Sequence, residues 1–201
     1  CIRDRAIGAS ALTANTTGAN NVAVGASAGA ALTTASQNTF IGVESGDAIT
    51  TGAFNTAVGY ASLSAGTDGE RNTAIGRAAL QVNTSGAYNV AMGMAALESN
   101  TTADYNTAVG YNTLEANTTG AQNTAVGSSA GASITTGSYN VAMGVDTLST
   151  LSTGDNNTAL GKGALAAATT SDNNTAVGYQ ALTANTTGHE NNAIGVSALL
   201  T

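Results

Sequence analysis

Glycine recurs in this chain every 17 residues without a slip, at Gly8, Gly25, Gly42, Gly59, Gly76, Gly93, Gly110, Gly127, Gly144, Gly161, Gly178 and Gly195. The twelve repeats carry no insertion or deletion across 201 residues. A fixed period of this kind is the sequence mark of stacked supersecondary units. A flexible linker has no reason to keep count, because lengthening a loop costs little. Strict counting means that each repeat sits in register on the one before it. Residues 1–201 therefore read as a single repeat domain.

Numbering each repeat from its glycine as position 0 lays out the columns. Position −4 is Asn in every repeat but the first, which has Asp4. Position −3 is mostly Thr or Val, and position −2 is Ala except for Phe40. Position −1 is always a larger aliphatic, position +8 is Thr except for Ser152, and position +10 is usually Gly. Apolar residues do not follow the three- and four-residue spacing of a helix. Gly, Thr and Val are also poor helix formers. Positions −4 to −1 suit a short strand, and positions +6 to +9, as in "ANTT", suit a second. Glycine at 0 and +10 falls where the chain must turn. Coils of this kind stack as parallel strands about 4.8 Å apart, so twelve of them make a rod of roughly 55 Å. The expected fold class is all-β: a parallel β-solenoid, or β-roll, of twelve 17-residue coils.

Three patterns support stacking. The chain has no proline, which would remove a donor from an inter-coil ladder. The column Asn21, Asn38, Asn55, Asn72, Asn89, Asn106 and Asn123 places amides over one another as a hydrogen-bonded ladder. Two further columns trade one aliphatic group. Position +4 is Leu except at Gly29, Gly46 and Gly131, and in those repeats +7 becomes Leu32, Ile49 or Ile134; Leu148 with Leu151 is the one repeat with an aliphatic at both. Columns that exchange a side chain in this way fill one interior space. The expected core is position −1 (Val24, Ile41, Val58, Ile75, Val109, Val126 and Val177) together with +4 or +7, as at Leu114 and Ile134.

Composition excludes several function classes. The net charge is −7 with five Lys plus Arg, so no basic stripe is available for nucleic acid. No apolar run of about 18 residues is present to cross a membrane as a helix. The single cysteine, Cys1, allows neither an intrachain disulfide nor a cysteine metal cluster. It reads either as a lipidated N-terminus of an exported protein or as the point where the chain was cut. His189 stands alone in a turn, and no catalytic set, cofactor motif or metal site emerges, so no enzymatic activity is expected. Asp68, Asp104, Asp155 and Asp172 fall at turns, without the spacing of calcium-binding nonapeptide rolls. Glu98 lies over Glu115 and Asp155 over Asp172, and both columns are expected to face solvent. Seven N-x-S/T sequons begin at Asn15, Asn83, Asn100, Asn117, Asn156, Asn173 and Asn185. They read as turn and ladder residues generated by the repeat rather than as glycan sites.

Aromatics recur at +1 (Tyr60, Tyr111, Tyr179) and +12 (Phe54, Tyr88, Tyr105, Tyr139). They either pack over turns and between chains or offer rings to a cell-surface glycan. The Thr column at +8 raises an ice-binding alternative, because such proteins present flat Thr arrays on solenoids.

"NVAVG" (Asn21–Gly25) and "NVAMG" (Asn89–Gly93, Asn140–Gly144) resemble the head repeats of trimeric autotransporter adhesins. The longer unit "NTAVGYQALTANTTG" (Asn174–Gly188) resembles repeats of bacteriophage tail fibres and related bacterial surface fibres. The resemblance implies a β-roll in a homotrimer at a cell surface or on a virion. The expected function is the structural shaft of such a fibre, spanning distance and presenting something else. Cys1 falls at +10 of a repeat and Thr201 at +6, so the shaft is expected to continue into a longer chain or onto a copy stacked end to end.

Overall fold

A computed structural model describes residues 3–200, so Cys1, with its lipid reading, and Thr201 lie outside the described residues. The protein is a parallel β-solenoid without helices among those residues. Each coil carries one three-residue strand at positions −3 to −1, from β1 (Arg5–Ile7) and β2 (Val22–Val24) to β12 (Asn192–Ile194). The twelve strands form one sheet in sequence order. Every pairing is parallel and joins residues 17 apart, as in Thr107↔Thr124, Ala108↔Ala125 and Val109↔Val126.

Hydrogen bonds between coils continue beyond the strands. The Gly127 amide donates to Val109 O at 2.8 Å, Leu80 N to Ala96 O at 3.0 Å, and Thr67 N to Thr84 O at 3.0 Å. The expected second strand at +6 to +9 is not one: that stretch is bend and turn, although its +6, +8 and +9 amides still donate to carbonyls of the next coil, as in Val82 N to Glu98 O at 3.1 Å and Thr84 N to Thr101 O at 2.9 Å. Positions +2, +4 and +12 hold positive φ in every coil, near 50–63° for the non-glycine residues, so the chain turns on both sides of that stretch. Gly110 marks the strand's end at φ 139°, where a Cβ would lie 2.6 Å from Gly127 O of the next coil. Only glycine lets successive coils approach so closely, which is why this column never varies.

The core departs from the sequence expectation at one column. Position −2, not −1, points inward: Ala57, Ala74, Ala91 and Ala108 are fully buried. Val24, Ile41, Val58, Ile75, Val109, Val126 and Val177 all lie on the outer face instead, with Ile41 40% exposed. Side chains alternate along a strand. The buried Asn at −4 fixes the parity, sending −2 inward and −3 and −1 outward. The rest of the expectation stands. Leu114 and Ile134 are fully buried, as are Leu32 and Ile49, while Leu148 and Leu151 are both buried within one coil, the exception to the trade. A Cβ on Gly131 would meet Leu114 Cδ2 at 2.9 Å and Ile134 Cδ1 at 3.0 Å, so these two do occupy the space a +4 side chain would take. Phe40 extends the same trade to a third column. Its ring lies 2.8 Å from a Cβ placed on Gly29 and 2.6 Å from one on Gly46, filling the room those two glycines leave.

The Asn ladder is present, and it bonds mainly to backbone. Asn72 Oδ1 accepts the Asn89 amide at 3.0 Å, while Asn72 Nδ2 donates to Gly86 O at 2.8 Å across its own coil. Side-chain rungs accompany this at some steps, such as Asn89 Nδ2 to Asn72 Oδ1 at 3.2 Å. Asn21, Asn38, Asn55, Asn106 and Asn123 are buried in the same column.

Candidate interaction face

The strand parity that buries alanine leaves a long outer face. Position −1 contributes Val, Ile, Met or Leu from every coil, and position +1, beyond the glycine turn, adds Val43, Tyr60, Met94, Tyr111, Val145 and Tyr179. All six of these +1 residues are exposed, with Tyr60 at 52%. Position −3 supplies half-buried Thr or Val beside them. Few charges interrupt this surface: Arg5 at −3, and Arg77 and Lys162 at +1. Scattered exposed apolar residues are ordinary, but a contiguous strip along a whole molecule marks an interaction surface.

Position +12 immediately precedes the next Asn and forms a ridge along one edge of this face. Its positive φ, 63° at Phe54 and 60° at Tyr88, Tyr105 and Tyr139, turns each side chain outward. The planar groups then stack on each other. Tyr88 and Tyr105 lie with ring centroids 4.9 Å apart and planes within 11°. Arg71, paired with Glu70, sits 5.1 Å from the Phe54 centroid and 5.3 Å from that of Tyr88. Ring faces satisfied in this way are not free for a sugar. Among the described residues Tyr60, Tyr111 and Tyr179 at +1 stack on no other ring, and each has non-aromatic column neighbours.

The remaining candidates resolve into structural roles. From Thr16 to Thr169 each +8 hydroxyl turns back onto the ladder: Thr101 Oγ1 donates to Thr118 O at 3.0 Å and Thr118 Oγ1 to Thr135 O at 3.0 Å. Those hydroxyl protons are already committed to carbonyls rather than to water. Asn83, Asn100 and Asn117 are fully buried, which leaves no access for a glycan. They form a second amide ladder, in line with the turn and ladder roles expected of the sequons. Asn100 Nδ2 donates to Asn83 Oδ1 at 2.8 Å and Asn117 Nδ2 to Asn100 Oδ1 at 3.0 Å. The run of Asn at +7 over three successive repeats was the signal for it. Asn156 and Asn173 are exposed at +12, and Asn15 and Asn185 are half-buried.

The acids at +11 act as backbone acceptors. Asp104 Oδ1 takes the Ala87 amide at 2.7 Å, Asp155 the Ser138 amide at 2.7 Å, and Asp172 the Asp155 amide at 2.8 Å. Glu98, Glu115, Asp155 and Asp172 are part-exposed rather than fully solvated. His189, exposed, accepts the Asp172 amide on Nδ1 at 2.9 Å. Among the described residues no group of three His, Cys, Asp or Glu is placed to hold a metal ion. No family model, curated protein or solved structure matches the chain.

Proposed function

We propose that this protein is a stiff, non-catalytic spacer: a shaft segment of an extracellular or virion fibre that associates with copies of itself. The observation that carries the reading is the apolar strip at −1, continuous through every coil, with the mostly apolar and aromatic column at +1 beside it. From −3 to +1 it spans roughly 13 Å, and over twelve coils roughly 55 Å, giving on the order of 700 Å². That approaches the roughly 800 Å² per partner of a stable interface. A second copy suits the strip because its side chains repeat at the same spacing. Ridges of one solenoid then meet grooves of another at every coil, and a frameshift in either would break the match. The homotrimer is carried over from the resemblance to adhesin and tail-fibre repeats, and so is the location outside the cell or on a virion.

End-to-end continuation belongs to the same proposal. Sedimentation equilibrium combined with electron microscopy tests the reading. The expected result is an oligomer, a trimer on the resemblance, with rods whose length is a multiple of one chain. Val109→Asp with Val126→Asp should dissociate it while the circular dichroism of the coil persists. A strictly monomeric wild-type particle would refute lateral association.

A further inference from the structure

We propose that Tyr88 and Tyr105 are a modification site, an oxidative coupling pair that a one-electron oxidant joins into an intrachain dityrosine between adjacent coils. The inference does not rest on the fibre reading, because it needs only the fold of one chain.

Of the six tyrosines, these two alone occupy one column in successive coils. Tyr139 lies between Gln122 and Asn156 in that column. At +1, Tyr60 lies between Val43 and Arg77, Tyr111 between Met94 and Ser128, and Tyr179 between Lys162 and Val196. The Tyr88 and Tyr105 rings are already parallel at 4.9 Å. Backbone bonds hold their attachment points in register, Tyr88 N to Glu70 O and Tyr105 N to Ala87 O, each at 3.1 Å. Arg71 covers the opposite face of Tyr88, so Tyr105 is the ring partner within its reach. Both side chains are exposed, at 42% and 55%, which admits an oxidant and lets the rings swing about their side-chain bonds. Reactants held together in this way behave as if at very high concentration, so intrachain coupling outruns coupling between dilute chains.

The step balances with hydrogen peroxide, acting through a haem peroxidase, as the oxidant. Each phenol gives up one electron and its hydroxyl proton, leaving a phenoxyl radical. The two radicals form one carbon–carbon bond between ring carbons ortho to oxygen. The hydrogen on each joined carbon then moves to the phenoxyl oxygen, which restores both aromatic rings. In sum the pair loses two hydrogen atoms and one peroxide becomes two waters. The product is a covalent staple across the coil stack at a point where only non-covalent bonds otherwise hold it.

Dilute chain treated with peroxidase and peroxide, then denatured and cut after glutamate, reads the outcome directly. Cleavage at Glu70, Glu98 and Glu115 puts Tyr88 in the peptide 71–98 and Tyr105 in 99–115. The two peptides should remain joined, lighter by two hydrogens than their sum, with blue dityrosine fluorescence. Tyr88→Phe, which preserves the stack, should abolish the link. Tyr111→Phe, in the same peptide as Tyr105, should leave it intact. Peptides that separate, a link that survives Tyr88→Phe, a link lost in Tyr111→Phe, or coupling only between chains would each overturn the proposal.

Discussion

Leu114→Gly followed by Asn117→Leu tests whether two columns share one interior space. Leu114 is fully buried and holds φ at 51°. Truncating a buried leucine costs about 2–5 kcal/mol. Glycine relieves the left-handed backbone by about 1–2 kcal/mol. Its greater freedom in the unfolded chain takes back about 0.5–1 kcal/mol. The central sum is a loss of about 3 kcal/mol. For a chain of this length that lowers Tm by roughly 6–12 °C. Leucine at 117 then refills the space and returns about 1.5–3 kcal/mol. Its polar cost nearly cancels. Asn117 Oδ1 is buried without a partner, because Ile134 stands where the next amide would be, so leucine removes one orphan. It leaves another at Asn100 Oδ1, which loses its 3.0 Å donor, while Gly120 O keeps Asn106 Nδ2 at 2.9 Å. Thermal melts by circular dichroism should show the double variant recovering more than half of the loss. A double variant no more stable than Leu114→Gly alone would refute the shared space.

Three further outcomes follow from the same geometry. Ala108→Asp puts an unpaired carboxylate in the core and should cost several kcal/mol. Val109→Asp, one residue on and facing outward, should change the melting of the single coil stack by less than about 1 kcal/mol. Asn72→Ala strips the Asn89 amide of its acceptor, and with an orphan and lost bonds it should cost about 2–4 kcal/mol in a denaturant titration. Burial raises the Asp47 carboxyl above its ordinary 3.8, the Glu44 charge adds to this, and backbone hydrogen bonds oppose it. The folded chain thus binds more protons than the unfolded one just above pH 3.8, so Asp47 makes stability fall as pH rises through that window. Asp47→Asn should flatten that fall and raise Tm at neutral pH, with no gain in strong acid. A stability–pH profile unchanged by the substitution would contradict it.

The period, the parallel stacking, the Asn ladder and the pairing of +4 with +7 are all legible without coordinates. Each shows as a column, and a column needs only counting. The Gly131–Ile134 exchange was legible because it occurs within one chain beside Leu114 with Asn117. What counting could not decide was which way each column points. Val109 looks like core when judged by size and Ala108 suits either side, yet the structure turns Val109 outward and buries Ala108. Inter-coil bonding decides it. The −4 amide must lie inside to reach both the next coil's amide and the carbonyl across its own coil, and strand alternation then turns −1 outward. Leucine at +4 was equally illegible: it holds a left-handed φ that propensity would never assign to it, at a turn that closes each coil onto the alanine core.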